Sequence, residues 1–254
     1  MYKLFLDIGN SFVKWSSVAQ GDYIHQNSIK LEYVLGSELT MFEEYGVPAE
    51  VYISSVADAA SVDALKLIIQ ERWQVFPVQL SSQKLCCGLV NGYDDFSQLG
   101  DDRWFAMLGA IGIYSEPVIV VDAGTALTVD AVIDGKHQGG FIVPGLHSMR
   151  TALAHSTADL SNVSATTLVN NDETVMQALA SNTDSAILGG TLYMSAAFLN
   201  QLIRDLNDQF QTVFKVLLTG GEALQFSSLL DVNFDYIPDL VLQGMVNVEE
   251  SVKK

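Results

Sequence analysis

Leu6-Asp7-Ile8-Gly9-Asn10-Ser11-Phe12-Val13 and Val121-Asp122-Ala123-Gly124-Thr125-Ala126-Leu127-Thr128 repeat one pattern. Each sets Asp-x-Gly and a small polar residue between apolar, β-rich segments, which predicts strand, tight turn, strand. The two aspartates stand 115 residues apart in a chain of 254. That is close to half the length, so duplication of one α/β unit is the economical reading, with domains at 1–116 and 117–254.

The surroundings of the two turns agree. In the first half, Tyr2 to Leu6, Phe12 to Val18, Tyr23 to Lys30 and Val51 to Ser54 read as strands. Helices are expected near Glu38 to Tyr45 and over Ala57 to Gln70, where Ala60, Leu65, Ile68 and Ile69 have helical spacing. The second half repeats the order: a strand at Val118 to Val121, then Leu127 to Ile133, a turn at Asp134-Gly135, and His137 to Val143. A helix follows Pro144-Gly145 to about His155, then a polar loop. Helical sequence runs from Asp172 to Leu206 with a break expected at Gly189-Gly190, and Phe214 to Leu218 reads as a buried strand.

Composition narrows the function. The chain has 49% hydrophobic residues, ample for a core, and a net charge of -17 from 13 Lys+Arg against 30 Asp+Glu. No basic run precedes Lys253-Lys254, which argues against a nucleic-acid binder. A nucleotide remains compatible, because remote carboxylates are screened within about 8 Å at physiological salt and local groups dominate. The adjacent Cys86 and Cys87 suit neither a disulfide framework nor a CxxC metal site, so free thiols in a reducing cytoplasm are expected. An acid at Asp7 interrupts any signal-peptide core, and no uncharged apolar run of membrane-spanning length is expected.

The candidate chemistry starts at the first turn. A glycine-permitted bend lets the N–H groups of Asp7 to Lys14 reach phosphate, Ser11 adds a hydroxyl, Asp7 suits Mg²⁺ through water and Lys14 suits phosphate oxygens. The plainer alternative is a hairpin turn with an exposed lysine. Gly100-Asp101-Asp102-Arg103-Trp104 opens an apolar helical run, so an acid there, Asp101 first, serves as a first-turn residue. Asp102 beside Arg103 is also a candidate general base, with the arginine fixing an anionic substrate. Asp122 follows four apolar residues, where an ionised carboxylate is costly unless paired with a cation or hydrogen-bonded. Thr219-Gly220-Gly221-Glu222 offers an open backbone surface for a base or ribose, or else a plain strand-to-helix turn, whereas Gly139-Gly140 and Pro144-Gly145 read as turn chemistry. The four histidines lack metal-binding spacing, no GxSxG elbow is present, and the three tryptophans read as packing.

In order, Asp7-x-Gly-Asn-Ser-x-x-Lys14, Gly100-x-Asp-Arg103, Asp122-Ala-Gly-Thr-Ala126, Gly139-Gly-x-Ile-x-Pro-Gly145, Asn182-Thr183 and Thr219-Gly-Gly221 resemble the motif series of the type III pantothenate kinases. The resemblance spans nearly the whole chain, with Ser11 where that family usually has Thr. It implies an α/β fold of two duplicated actin-like, ribonuclease H-like domains, mixed sheets flanked by helices with a cleft between them, as in the actin, hexokinase and Hsp70 superfamily. It implies ATP-dependent phosphorylation of pantothenate to 4'-phosphopantothenate, the first step toward coenzyme A.

By the same resemblance, Asp7, Ile8, Gly9, Asn10, Ser11, Phe12, Val13, Lys14 and Thr125 meet the ATP phosphates with Mg²⁺, and Asp122 holds potassium or ammonium. Asp102 is the proton acceptor, and Tyr93, Gly100, Asp101, Asp102, Arg103 and Thr183 belong to the pantothenate pocket. The family implies a homodimer whose pocket draws on both subunits, in the cytoplasm, with no nucleic-acid or membrane partner. Two other readings compete: another small-molecule phosphotransferase of the superfamily, and a Bvg accessory factor-like regulatory protein that binds nucleotide without turnover.

Overall fold

The computed structural model of the chain describes residues 2–19, 22–35, 39, 42–43, 46–156 and 179–252. It divides into two compact units, one of residues 1–115, 132–139 and 239–254, the other of residues 116–131 and 140–238.

The first unit opens with β1 (Tyr2–Ile8), β2 (Phe12–Ala19) and β3 (Asp22–Lys30), followed by a short helix α1 (Leu31–Leu35), β4 (Glu50–Ser55), α2 (Ala59–Trp73) and β5 (Val78–Gln79). Its sheet runs β3-β2-β1-β4-β5. The β1–β2 and β2–β3 pairs are antiparallel, and β4 is parallel to both β1 and β5. Tyr2, Leu4, Leu6 and Ile8 point to one face and are buried with Leu65, Ile69 and Trp73 of α2. Phe5 fills the other face and stacks on Tyr52 at 5.0 Å. Burial on both faces is why β1 reads as an almost unbroken apolar run.

Asp58 caps α2 by accepting from Ser61 N at 3.0 Å, and Gln74 ends the helix in the left-handed region at φ 57. The buried face of α2 is Val62, Leu65, Ile69 and Trp73, so Ala60 faces solvent instead of the expected core. Of the helix expected over 38–45, Leu39 has φ 59, outside helical backbone, and 38, 40, 41, 44 and 45 lie outside the described residues.

The first unit also holds a small hairpin, β6 (Leu85–Cys86) with β7 (Leu89–Val90), then α3 (Asp101–Ile113). It is completed by α6 (Leu240–Val252). The α3–α6 contact is backbone-close. A Cβ on Gly109 would fall on the Leu240 carbonyl oxygen, and one on Gly244 on the Phe105 carbonyl oxygen. Asn247 Nδ2 donates to Leu108 O at 3.2 Å. Lys3 pairs with the buried Glu249 at 2.6 Å and so ties β1 to α6.

The second unit contains β8 (Val118–Ala123), most of β9 (Ala126–Ile133) and β10 (Lys136–Pro144), then α4 (Leu146–Ser156), α5 (Thr183–Phe210), β11 (Lys215–Thr219) and β12 (Phe234–Tyr236). Its strands run β10-β9-β8-β11-β12, with β11 parallel to β8 and to β12. Counted from its own first strand this is 3-2-1-4-5, the order of the first sheet. Asp7 and Asp122 are each the penultimate residue of strand 1 in their sheet.

Helix α5 runs unbroken through Gly189-Gly190, and residues 172–178 lie outside the described ones. About 1 kcal/mol per glycine is small beside the burial of Ala196, Leu199 and Ile203 on the same helix. Gly139 and Gly140 lie within β10, Gly139 at φ 111, and so do not form a turn. Among the described residues α5 is also the one helix long and apolar enough to cross a membrane, with mean hydropathy 1.3, which the sequence reading had not expected. It carries buried Thr191, Ser195 and Asn200, and Asn200 bonds the Leu229 and Asp231 backbones at 2.8 Å.

Candidate active site

The first Asp-x-Gly turn closes at the end of β1. Gly9 N donates to Phe12 O at 2.9 Å, and a Cβ on Gly9 would stand 3.3 Å from that oxygen, so the tight bend favours glycine. Asn10, Ser11 and Phe12 are exposed at the bend, with Ile8 and Val13 buried beneath. Asp7 is buried and stands opposite Lys14 on β2 and Ser54 on β4. Residues in register share a face, so Lys14, Asp7 and Ser54 form a polar row beneath the turn. Ser54 is fully buried, and its Oγ finds no hydrogen-bond partner among the described residues. An orphaned buried hydroxyl beside a carboxylate and an ammonium fits a site for water-ligated Mg²⁺ and phosphate. The turn lies beyond the C-terminal ends of parallel β1 and β4, where open α/β sheets bind ligands.

The second turn is built from the same parts. Gly124 N donates to Ala126 O at 3.0 Å, and Thr125 is exposed. Asp122 on β8 stands in register with Thr219 on β11. A Cβ on Gly220, whose φ is 91, would fall on Asp122 Oδ1 and the Ala123 carbonyl oxygen. The strand end therefore draws backbone against a carboxylate and leaves a cradle only a glycine permits. Hard oxygen donors of this kind suit an alkali cation. No group of three or more His, Cys, Asp or Glu stands together among the described residues, so no protein cage for a transition metal is built there.

Glu222 closes the Thr219-Gly220-Gly221-Glu222 turn, and the structure gives it a role that the turn reading does not assign. Its carboxylate accepts from Leu146 N at 2.9 Å and His147 N at 3.0 Å, capping α4 from 75 residues away. Ser148 Oγ donates to Thr125 O at 2.6 Å, and Gly145 N to the same oxygen at 3.0 Å. A long-range cap leaves no local spacing for a sequence pattern to find.

The acidic pair opens α3, with Gly100 as its N-cap. Asp101 turns inward and accepts from Ser82 N at 2.7 Å, while Ser82 Oγ donates to Leu99 O at 2.7 Å. Asp102 Oδ1 accepts from Arg103 N at 2.7 Å, and a Cβ on Gly100 would stand 2.7 Å from that oxygen. Arg103 is buried and donates from Nη1 to Tyr93 OH at 2.6 Å, with its guanidinium 5.5 Å from the Tyr93 ring centre. The Tyr93 ring also stacks on that of His137, centroids 5.8 Å apart, and His137 has no exposed surface. Tyr93, Gly100, Asp101, Asp102 and Arg103 thus belong to one constellation of the first unit. Thr183 begins α5 in the second unit, where Asn182 caps the helix, and lines a cavity of about 930 Å³.

Burial lifts the Asp101 carboxyl above its ordinary 3.8, against the pull of the Ser82 N–H. A carboxyl with a raised native pKa holds its proton more tightly folded than unfolded, so its contribution is greatest in acid and is lost as pH rises through the raised value. Asp101→Asn keeps an acceptor for Ser82 and removes that dependence. Between about pH 4 and neutrality the urea midpoint of the parent should fall relative to the variant, and parallel profiles would contradict this assignment.

The family model described as type III pantothenate kinase matches residues 3–205. The chain belongs to the type III pantothenate kinase family. A type III pantothenate kinase from Hydrogenovibrio crunogenus is 41% identical over 98% of this chain and 99% of its own, and one from Nitrosococcus oceani is 30% identical over 99% and 95%. Solved structures agree on the fold. A Campylobacter jejuni protein assigned to the Baf family of transcriptional activators superposes with TM-score 0.61 at 21% identity, covering 99% of this chain and all of that one. The Clostridium difficile activator of 2-hydroxyisocaproyl-CoA dehydratase, solved with bound ADPNP, gives TM-score 0.53 at 14% identity, covering 100% and 97%. The fold of this pantothenate kinase is accordingly actin-like, two mixed sheets flanked by helices.

Proposed function

We propose that this type III pantothenate kinase transfers the terminal phosphoryl group of ATP to the primary hydroxyl of pantothenate, with Asp102 accepting the hydroxyl proton. The observation that carries the reading is the buried Arg103, bonded to Tyr93 OH at 2.6 Å and adjacent in sequence to Asp102. A planar guanidinium suits the pantothenate carboxylate, and its neighbour is an acid suited to the alcohol end. Tyr93 orients the guanidinium, Gly100 leaves room for the Asp102 carboxylate, and Asp101 anchors the start of α3.

The turn Asp7 to Lys14, with Ile8, Gly9, Asn10, Ser11, Phe12 and Val13 between, takes the nucleotide phosphates, as does Thr125. Asp7 and Ser54 would hold Mg²⁺ through water, and Asp122 would hold potassium or ammonium. Such cations, when bound, neutralise phosphate charge. The protein supplies positioning: backbone N–H groups and Lys14 orient the phosphates, and Asp102 holds the proton as it leaves.

The duplicated halves divide at 1–116 and 117–254. The active form is a homodimer in the cytoplasm, with Thr183 in the pantothenate pocket and no nucleic-acid or membrane partner. Exposed apolar Tyr193 and Met194 on α5 support a second copy covering that part of the helix, and two free cysteines support a reducing compartment.

Purified protein with ATP, Mg²⁺ and pantothenate should release ADP only when pantothenate is present. Nucleotide binding without that release would favour the regulatory reading, and ADP release with another acceptor alone would favour a different kinase. Removing potassium and ammonium should lower turnover about tenfold or more, and Asp122→Ala should abolish the cation response. Unchanged rates in cation-free buffer would remove Asp122 from that role.

A further inference from the structure

The hairpin β6–β7 turns through Cys86-Cys87-Gly88-Leu89, with Cys86 and Leu89 paired across it. Cys87 and Gly88 have φ of 50 and 85, both in the left-handed region that a two-residue hairpin turn of type I′ requires. Glycine takes that backbone freely, whereas cysteine seldom does. The turn holds the two sulfurs 3.5 Å apart, with Cys87 exposed, Cys86 half-buried and neither in a disulfide.

That separation selects a ligand geometry. With bonds to sulfur of about 2.3 Å, sulfurs 3.5 Å apart subtend roughly 100° at a shared atom. A linear dithiolate of a monovalent coinage metal or mercury needs sulfurs about 4.6 Å apart at that bond length. Structural zinc needs four ligands, and no third His, Cys, Asp or Glu joins the pair among the described residues. A pyramidal centre bound by two thiolates and one carbon satisfies both the angle and the donor count.

We propose that Cys86-Cys87 is a chelating dithiol site for trivalent organoarsenicals. An arsenical R–As=O and the two thiols condense: two As–S bonds form, the As–O bonds break, and both thiol protons leave with the oxygen as water. No electron is transferred. Burial first, then the neighbouring Cys87, pushes the Cys86 thiol up to about 11, so its proton is present at neutral pH for this condensation. The hairpin leads along the chain into the pocket constellation, while Cys87 Sγ donates to Asn247 O of α6 at 3.6 Å. Strand β7 runs directly into Asn91, whose side chain donates to Gln83 O and Phe96 O and accepts from Tyr93 N at 3.0 Å.

Titration of the full-length protein with phenylarsine oxide tests the assignment, read by intact mass and by residual thiol with a thiol-reactive dye. One adduct per chain should consume both thiols. Cys86→Ser and Cys87→Ser should each weaken binding at least about 100-fold, because the second bond of a chelate forms intramolecularly. Two independent adducts per chain, or a single-serine variant that binds as tightly as the parent, would overturn it. Untreated variants should turn over pantothenate as the parent does.

Discussion

Asp102→Asn should lower kcat by about 10² to 10⁴-fold while the protein folds as the parent does. The loss corresponds to about 3–5 kcal/mol of transition-state stabilisation. Asparagine retains an oxygen to accept from Arg103 N, the 2.7 Å contact that Asp102 makes in the first turn of α3. It fits the same space above Gly100, where a Cβ would already stand 2.7 Å from the carboxylate oxygen. What it lacks is a basic oxygen for the alcohol proton. KM for ATP should stay within about twofold, since Asp102 makes uniform contact with neither nucleotide nor cation in this mechanism. A coupled ADP-release assay, with circular dichroism as the folding control, measures both quantities, and near-parental turnover would remove Asp102 from the reaction.

Gly244→Ala should destabilise the protein by about 3 kcal/mol or more. The new methyl would fall on the Phe105 carbonyl oxygen, and a matching approach at Gly109 lets Leu240 O lie against α3. Two helices in backbone contact can yield only by separating, and separation opens a core that includes Trp104, Phe105 and Leu242. For a chain of this size that cost lowers Tm by roughly 6–12 °C. Because Asp101, Asp102 and Arg103 begin α3, pantothenate KM should rise in the same variant. Unchanged Tm by calorimetry would mean the helices are not held at this separation.

Much of the fold was legible because its signals are local. The apolar runs of β1, β4, β8 and β11 and the Asp-x-Gly bends are written in consecutive residues, and strand follows turn as their spacing demands. The parts missed were β5, β6 and β7, two residues each, and β12, three, all too short to carry a period, with α1, a helix of five residues, and α6, whose Pro238-Asp239 start went unread. Propensity at Gly189-Gly190 predicts a break in α5, and the packing of Ala196, Leu199 and Ile203 outweighs it. At the site, sequence named Asp102, Arg103 and Tyr93, and the structure adds how they meet: a buried guanidinium bonded to a phenol that rests on His137. Glu222 and Ser82 act through partners distant in the chain, and Ser54 meets Asp7 only through strand register, so no spacing rule reaches them.

The α3–α6 embrace also sets an order of birth. Ribosomes deliver the β1–β5 sheet first, yet the helix that shelters α3 emerges only after residue 239, once every strand from β8 to β12 has been synthesised. The nascent first unit must therefore wait, half-clothed, with an apolar helix surface available to chaperones, while the intervening unit is free to mature ahead of it.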